Sequence, residues 1–172
     1  MQKSRLCYMK FLVDSMLGKL ARFLRIFGYD TIYANDLTYK LMVDPVPDEK
    51  LIDYAKKNNR FIITKDLLLH KSYIDRSLYL HGEGIYHYLN QLKQKLKLNF
   101  EFKFEKAKCS ICNSKLLKIQ DKNEIKDFVL QDSLNNYNEF YRCSNLQCNK
   151  IFWKGTHIED IEKRLEKESA LN

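Results

Sequence analysis

"FLVDSMLGKLARFLRIFG", residues 11–28, carries two periods in one stretch. Phe11, Leu12 and Val13 are apolar without alternation, and the run stops at Asp14. From Leu17 onward apolar residues return every three or four positions. Leu17, Leu20, Leu24 and Phe27 share one helical face, and Gly28 is a natural stop. A strand within "YMKFLVD" (8–14) thus hands over to an amphipathic helix at an aspartate. Outward from there the pattern repeats. "DTIYAN" (30–35) reads as a second strand. "DEKLIDYAKKNN" (48–59) reads as a helix capped by Asp48, with Leu51, Ile52 and Ala55 facing inward. "RFIITKD" (60–66) reads as a third strand, apolar enough to be covered on both faces. "SLYLHG" (77–82) suits a fourth strand and "GIYHYLNQLKQKLKLN" (84–99) an amphipathic helix. The stretch 36–47 reads as a loop, since Pro45 and Pro47 oppose regular structure.

Strands alternating with helices predict an α/β fold with a parallel sheet flanked by helices. Such sheets bind ligands beyond the carboxyl ends of their strands. Asp14 and Asp66 both stand there.

Composition agrees with a packed core, at 45% hydrophobic and 13% aromatic residues over 172 positions. No apolar run approaches the roughly 20 residues that cross a bilayer. The segment "MQKSRLCYMKF" has no signal-peptide pattern, so a cytoplasmic protein without membrane partners is expected. The net charge of +8 is uneven: residues 1–99 hold 17 basic and 10 acidic side chains, residues 100–172 hold 13 and 12. A basic first part favours polyanions, nucleic acid first, although solubility alone accounts for a modest charge.

Near residue 100 the texture changes, which divides the chain into a domain over 1–100 and a second over 101–172. "FEFKFEKAKC" alternates like a strand, and "IEDIEKRLEKE" (158–168) is a charged terminal helix. Between them Cys109 and Cys112, then Cys143 and Cys148, form C-x2-C, thirty residues, C-x4-C. Four thiolates suit tetrahedral zinc, and two knuckles joined by hairpin strands are the plan of a zinc ribbon. With all four positions on cysteine no coordination site stays open, so the zinc would be structural. Disulfides or core thiols are the alternatives. Cys7 has no nearby partner and reads as a buried thiol.

Asp14, Asp48 and Asp66 are the candidate catalytic acids, with Asp36 and Glu49 as possible additions. Carboxylates bind hard cations such as Mg²⁺ or Mn²⁺, which activate water and stabilise phosphoryl charge. Each of the three reads equally as a helix N-cap. Lys19, Arg22 and Arg25, at i, i+3 and i+6, form a basic stripe near the proposed crevice, either a solvated face or contacts to phosphates. Thr64 is placed to bond a metal ligand or simply to favour a strand. His70, His81, His87 and His157 show no ligand spacing.

"FLVDSMLGKLARFLRIFGYDT" followed by "DEKLIDYAKKNNRFIITKD" resembles the PIN-like RNase domain family named for the C-terminal region of the Mut-seven exonuclease. "CNKIFWKGTHIEDI" is similar to the end of that family's C-terminal zinc ribbon. The resemblance implies a PIN-like fold over 1–100, a ribbon over 101–172, and a divalent-metal-dependent ribonuclease, an endonuclease before an exonuclease. It implies RNA as partner, with single-stranded nucleic acid and ribosome-associated RNA as further candidates. Asp14 matches the acid after the first strand, Asp48 the acid opening the helix, and Asp66 the acid of the Thr-x-Asp step. This chain has Asp48-Glu49 where the family pattern has consecutive aspartates. A non-catalytic RNA-binding module and a protein-interaction adaptor are the rivals.

Overall fold

Phe11, Val13 and Ile63 pack into one core and Leu12 and Ile62 into another, all of them at most 1% exposed. Alternate side chains of β-strands point to opposite faces, so a sheet covered on both sides needs an unbroken apolar run. A computed structural model describes residues 9–170, apart from the side chains of His157, Ser169 and Ala170. Cys7 lies outside the described residues.

Four parallel strands form the sheet: β1 (Lys10–Val13), β2 (Thr31–Tyr33), β3 (Arg60–Thr64) and β4 (Ser77–Tyr79), in the order β2-β1-β3-β4. Strands one and three are therefore neighbours, with Val13 opposite Ile63. A 3-10 turn (Ser15–Leu17) leads into α1 (Gly18–Ile26). Leu20 and Leu24 of α1, with Leu17 and Phe27, are buried as their spacing predicts. Gly28 ends this segment at φ +90°, and a Cβ there would stand 2.8 Å from the Lys106 carbonyl, so only glycine fits.

The stretch read as a loop holds a 3-10 turn (Ala34–Leu37) and a short helix, α2 (Thr38–Leu41). Pro45 and Pro47 stop regular structure only after them. Leu37 and Ala34 are buried in the second core, which rewards the turn. The helix α3 (Asp48–Lys57) covers the same core with Leu51 and Ala55. Its cap residue is Pro47, so Asp48 stands inside the first turn and bonds no helix amide, contrary to the capping role expected of it. Then follow α4 (Leu67–Ser72) and α5 (Ile85–Leu96).

Residues 101–107 form no strand. Phe102 turns to the first core, and Phe104 lies flat on Tyr141 with ring centroids 4.0 Å apart. The alternation serves two packing surfaces rather than a sheet. Beyond it β5 (Leu116–Lys118), α6 (Gln131–Asn136), β6 (Tyr141–Cys143) and β7 (Ile151–Phe152) build an antiparallel three-stranded sheet, order β5-β6-β7. It has its own core of Ile125, Val129, Leu134 and Phe140. The last helix, α7 (Thr156–Ala170), does not stay with this unit. Ile161, 1% exposed, joins the first core.

Candidate active site and metal centre

The parallel register delivers Asp14 and Asp66 to one end of the sheet. The Asp14 amide donates to the Ile63 carbonyl at 3.0 Å, which seats it beside the end of β3. Asp14 is 6% exposed and its carboxylate is fully engaged. Oδ1 accepts from the Ser15 amide at 2.6 Å and its hydroxyl at 3.2 Å, and Oδ2 accepts from the Thr64 hydroxyl at 2.6 Å. Thr64, wholly buried, in turn accepts from the Asp66 amide at 2.8 Å. Asp66 caps α4 with Oδ1, which accepts from the Leu68 and Leu69 amides at 2.6 and 3.0 Å. Asp14 and Asp66 are thus both helix caps, and Thr64 links them.

Asp48 reaches the same neighbourhood from α3. Its carboxyl is held above the ordinary aspartate value, first by burial, then by the charges of Asp66 and Asp14. Asp48 therefore senses the charges of both other acids. A divalent cation held there would offset that repulsion. The oxygens of the three acids are less tightly gathered than the cysteine sulfurs. Among the described residues only the four sulfurs lie mutually within 4.8 Å. Glu49 is exposed in the first turn of α3. Asp36 is turned to Arg25, 2.6 Å away.

The basic stripe is two residues rather than three. Lys19 and Arg22 are exposed, but Arg25 is 2% exposed. Its Nε donates to the Thr31 carbonyl at 2.8 Å, Nη1 to the carbonyls of Ser110 and Ile111 at 3.1 and 2.7 Å, and Nη2 to Asp36. A planar guanidinium makes such a fork where an ammonium cannot. Spacing of i, i+6 turns a residue well around the helix, and the carbonyls of the cysteine knuckle supply the inward partner that no local pattern reveals.

That knuckle is docked at a second point. Asn113 accepts from the Thr31 amide at 3.0 Å and donates to Asp30 at 2.8 Å. Asp30 also pairs with Arg60 at 2.9 Å. Burial raises the Asp30 carboxyl, but the Arg60 and Asn113 bonds outweigh it and hold it below the usual value. Asn113 and Asn149, each following the second cysteine of its pair, adopt φ 65° and 45°. Asparagine tolerates this left-handed turn, which folds each knuckle back on itself.

The four cysteines form no disulfide. Cys109 and Cys148 sulfurs are 3.7 Å apart, and those of Cys112 and Cys143 are 3.3 Å apart. A tetrahedron with Zn–S bonds of about 2.3 Å has S···S edges of about 3.8 Å. The set could hold a metal such as zinc. Burial pushes the Cys109 thiol up to about 11. At Cys112 burial also raises the thiol, but the Ser114 hydroxyl and amide overcome it and bring it to about 6.

Tyr33 was not a candidate by sequence. Its hydroxyl donates to the Ser15 carbonyl at 2.7 Å. Burial and then the charges of Asp36 and Asp14 hold its hydroxyl above the ordinary tyrosine value, while Arg22 pulls it down. The available signal was its place at the carboxyl end of β2, opposite Val13. Three of the histidines have other partners: His70 bonds Ser77, and His81 meets His87 edge to face. No helix among the described residues is long and apolar enough to cross a membrane.

A family model described as the Mut7-C RNAse domain matches residues 9–165, nearly the whole chain and both halves of the fold. The comparisons with curated proteins and with solved structures found no match.

Proposed function

Because the chain belongs to the Mut7-C RNAse domain family, we propose that it is a divalent-metal-dependent ribonuclease acting at Asp14, Asp48 and Asp66. The observation that carries the reading is Asp48. It caps nothing, and partial burial followed by the charges of Asp66 and Asp14 holds its carboxyl above the ordinary value. Acids brought together at a cost to the fold have a use that the fold itself does not supply. Mg²⁺ or Mn²⁺, held by these residues, would supply a more acidic bound water and charge stabilisation at phosphorus. Asp14 is the rigid member, with both oxygens fixed by Thr64 and Ser15. Asp66 is oriented through Oδ1, and Asp48, on the exposed start of α3, faces incoming substrate together with Glu49. Lys19 and Arg22 take phosphates flanking the cut, and Arg25 positions the α1 end that carries them. The cysteine metal is zinc in a structural role, since four thiolates leave no position for water.

One observation favours a second reading, a non-catalytic RNA-binding module: the three carboxylates are not gathered as closely as the four sulfurs. Cleavage of mixed RNAs with Mn²⁺ and with EDTA decides between them. Metal-dependent cutting lost in folded Asp48→Asn supports the nuclease. Binding without cutting in every metal supports the module. A circular RNA substrate separates the endonuclease we expect from an exonuclease, which needs an end.

A further inference from the structure

Between α1 and the cysteine-bearing unit runs a groove of about 940 Å³. One wall is α1, bearing Lys19 and Arg22. The other is built from Phe104, Phe152 and Trp153, and Lys108 adds a third cation. Asp36, the only acid in the lining, is already paired with Arg25. The groove is thus aromatic on one side and cationic on the other. Tyr33 lines the groove, and its hydroxyl donates to the carbonyl of Ser15, the residue after Asp14, at 2.7 Å, so the groove reaches the Asp14 end of the acids. Gly18 makes that junction possible, since a Cβ there would come within 3.0 Å of the Tyr33 ring.

We propose that this groove holds a segment of single-stranded RNA. Its phosphates lie on Lys19 and Arg22, its unpaired bases stack on Phe104, Phe152 and Trp153, and the strand passes Tyr33 to the acids. The proposal rests on the ribonuclease reading for what happens at those acids. It adds that the second unit is half of the substrate channel. The cations call for a polyanion, and the aromatic wall calls for exposed ring faces. Duplex bases are stacked on one another and offer only their edges, whereas unpaired bases offer faces. Phe104 is a suitable platform because Tyr141 backs it in a parallel stack, which keeps the ring from rotating away. Phe152 is half-buried and lines the groove.

Trp153 is the chain's single tryptophan and lines the groove while its ring also packs on the third core, so a saturable change in its emission, with circular dichroism unchanged, reports on the groove. The intact protein is titrated with a short oligouridylate without added Mg²⁺ or Mn²⁺, so that binding is read without cleavage. We expect saturable quenching, and affinity for a blunt RNA duplex at least about tenfold weaker. Lys19→Ala/Arg22→Ala should lower the slope of log affinity against log salt by about 1.4, from two phosphate contacts on a single strand. Phe104→Ala/Phe152→Ala should bind about tenfold more weakly at unchanged salt slope. If that aromatic pair fails to fold, as judged by circular dichroism, the exposed Lys19 and Arg22 pair decides. Oligouridylate binding that leaves Trp153 emission and the double variant's salt slope as in wild type overturns the proposal. So does equal affinity for duplex, or emission that changes with protein concentration alone, which marks a second copy in the groove. Cleavage in Mn²⁺ is measured separately. Cutting with a silent groove rejects only the groove, and groove binding without cutting rejects only the ribonuclease.

Discussion

The Thr64 hydroxyl joins two acids at once: it donates to Asp14 at 2.6 Å and accepts from the Asp66 amide at 2.8 Å. One wholly buried group thereby ties the Asp14 carboxylate to the backbone of Asp66. Thr64→Val keeps the shape and removes the hydroxyl. It should cost about 1–3 kcal/mol, because Asp14 is left with a buried oxygen unbonded. Cleavage should fall through kcat rather than KM, and Thr64→Ser should restore most of it. A Val variant with wild-type kcat would show that the bridge is only structural.

Asp14→Asn and Asp66→Asn should separate. Asp66 caps α4 through one oxygen, and asparagine caps as well, so its stability should change by less than about 0.5 kcal/mol. Asp14 accepts on both oxygens, and an amide offers only one acceptor. Its replacement should cost about 1–3 kcal/mol in thermal melts. Both variants should lose cleavage in Mn²⁺, and retained activity in either removes that residue from the metal site.

Asp48→Asn should stabilise the protein at neutral pH without added divalent cation. The folded carboxyl is raised above its ordinary value of 3.8 by burial and by Asp66 and Asp14. Ionisation is therefore harder in the folded state, and stability falls as pH rises through the interval above 3.8. The gain from asparagine should be full above that interval and vanish below it. Added Mn²⁺ should stabilise wild type more than the variant. Urea melts across pH 3–7 check the sign, and a variant less stable than wild type at pH 7 contradicts it.

Arg25→Lys should cost about 2–4 kcal/mol, since an ammonium cannot reproduce a fork reaching Thr31, Ser110, Ile111 and Asp36. The salt slope of RNA binding should stay as in wild type at temperatures where the variant is folded. A slope that falls as for a phosphate contact would place the guanidinium on RNA after all.

One tightly held zinc per chain is expected on Cys109, Cys112, Cys143 and Cys148, and metal analysis of the purified protein checks it. Cys143→Ser should unfold the second unit, whose small core needs the metal. The loss should also reach β2, where the Thr31 amide depends on Asn113. Hydrogen exchange should quicken at Thr31 and Lys108 while Phe11–Val13 and Ile62–Thr64 stay protected. Protection of Thr31 unchanged would mean the units are independent.

The parallel sheet, its two covered faces and the cysteine quartet were legible in the order of residues alone. These follow from local periodicity and spacing, in which each residue's role is set by its near neighbours. Asp14 and Asp66 were legible as strand-end acids for the same reason. The sequence could not show that Arg25 turns inward or that Ile161 joins the first core, because their partners lie far along the chain. Nor could it show that Asp48 caps nothing, or that "FEFKFEK" is no strand, since a cap and a strand both require partners in space. Whether three acids repel one another is likewise a matter of through-space charge, which falls with distance and not with residue number. Only the tertiary structure, by bringing β1 beside β3 and α1 beside the second unit, made one site of Asp14, Thr64 and Asp66 and one groove of Arg22 and Trp153.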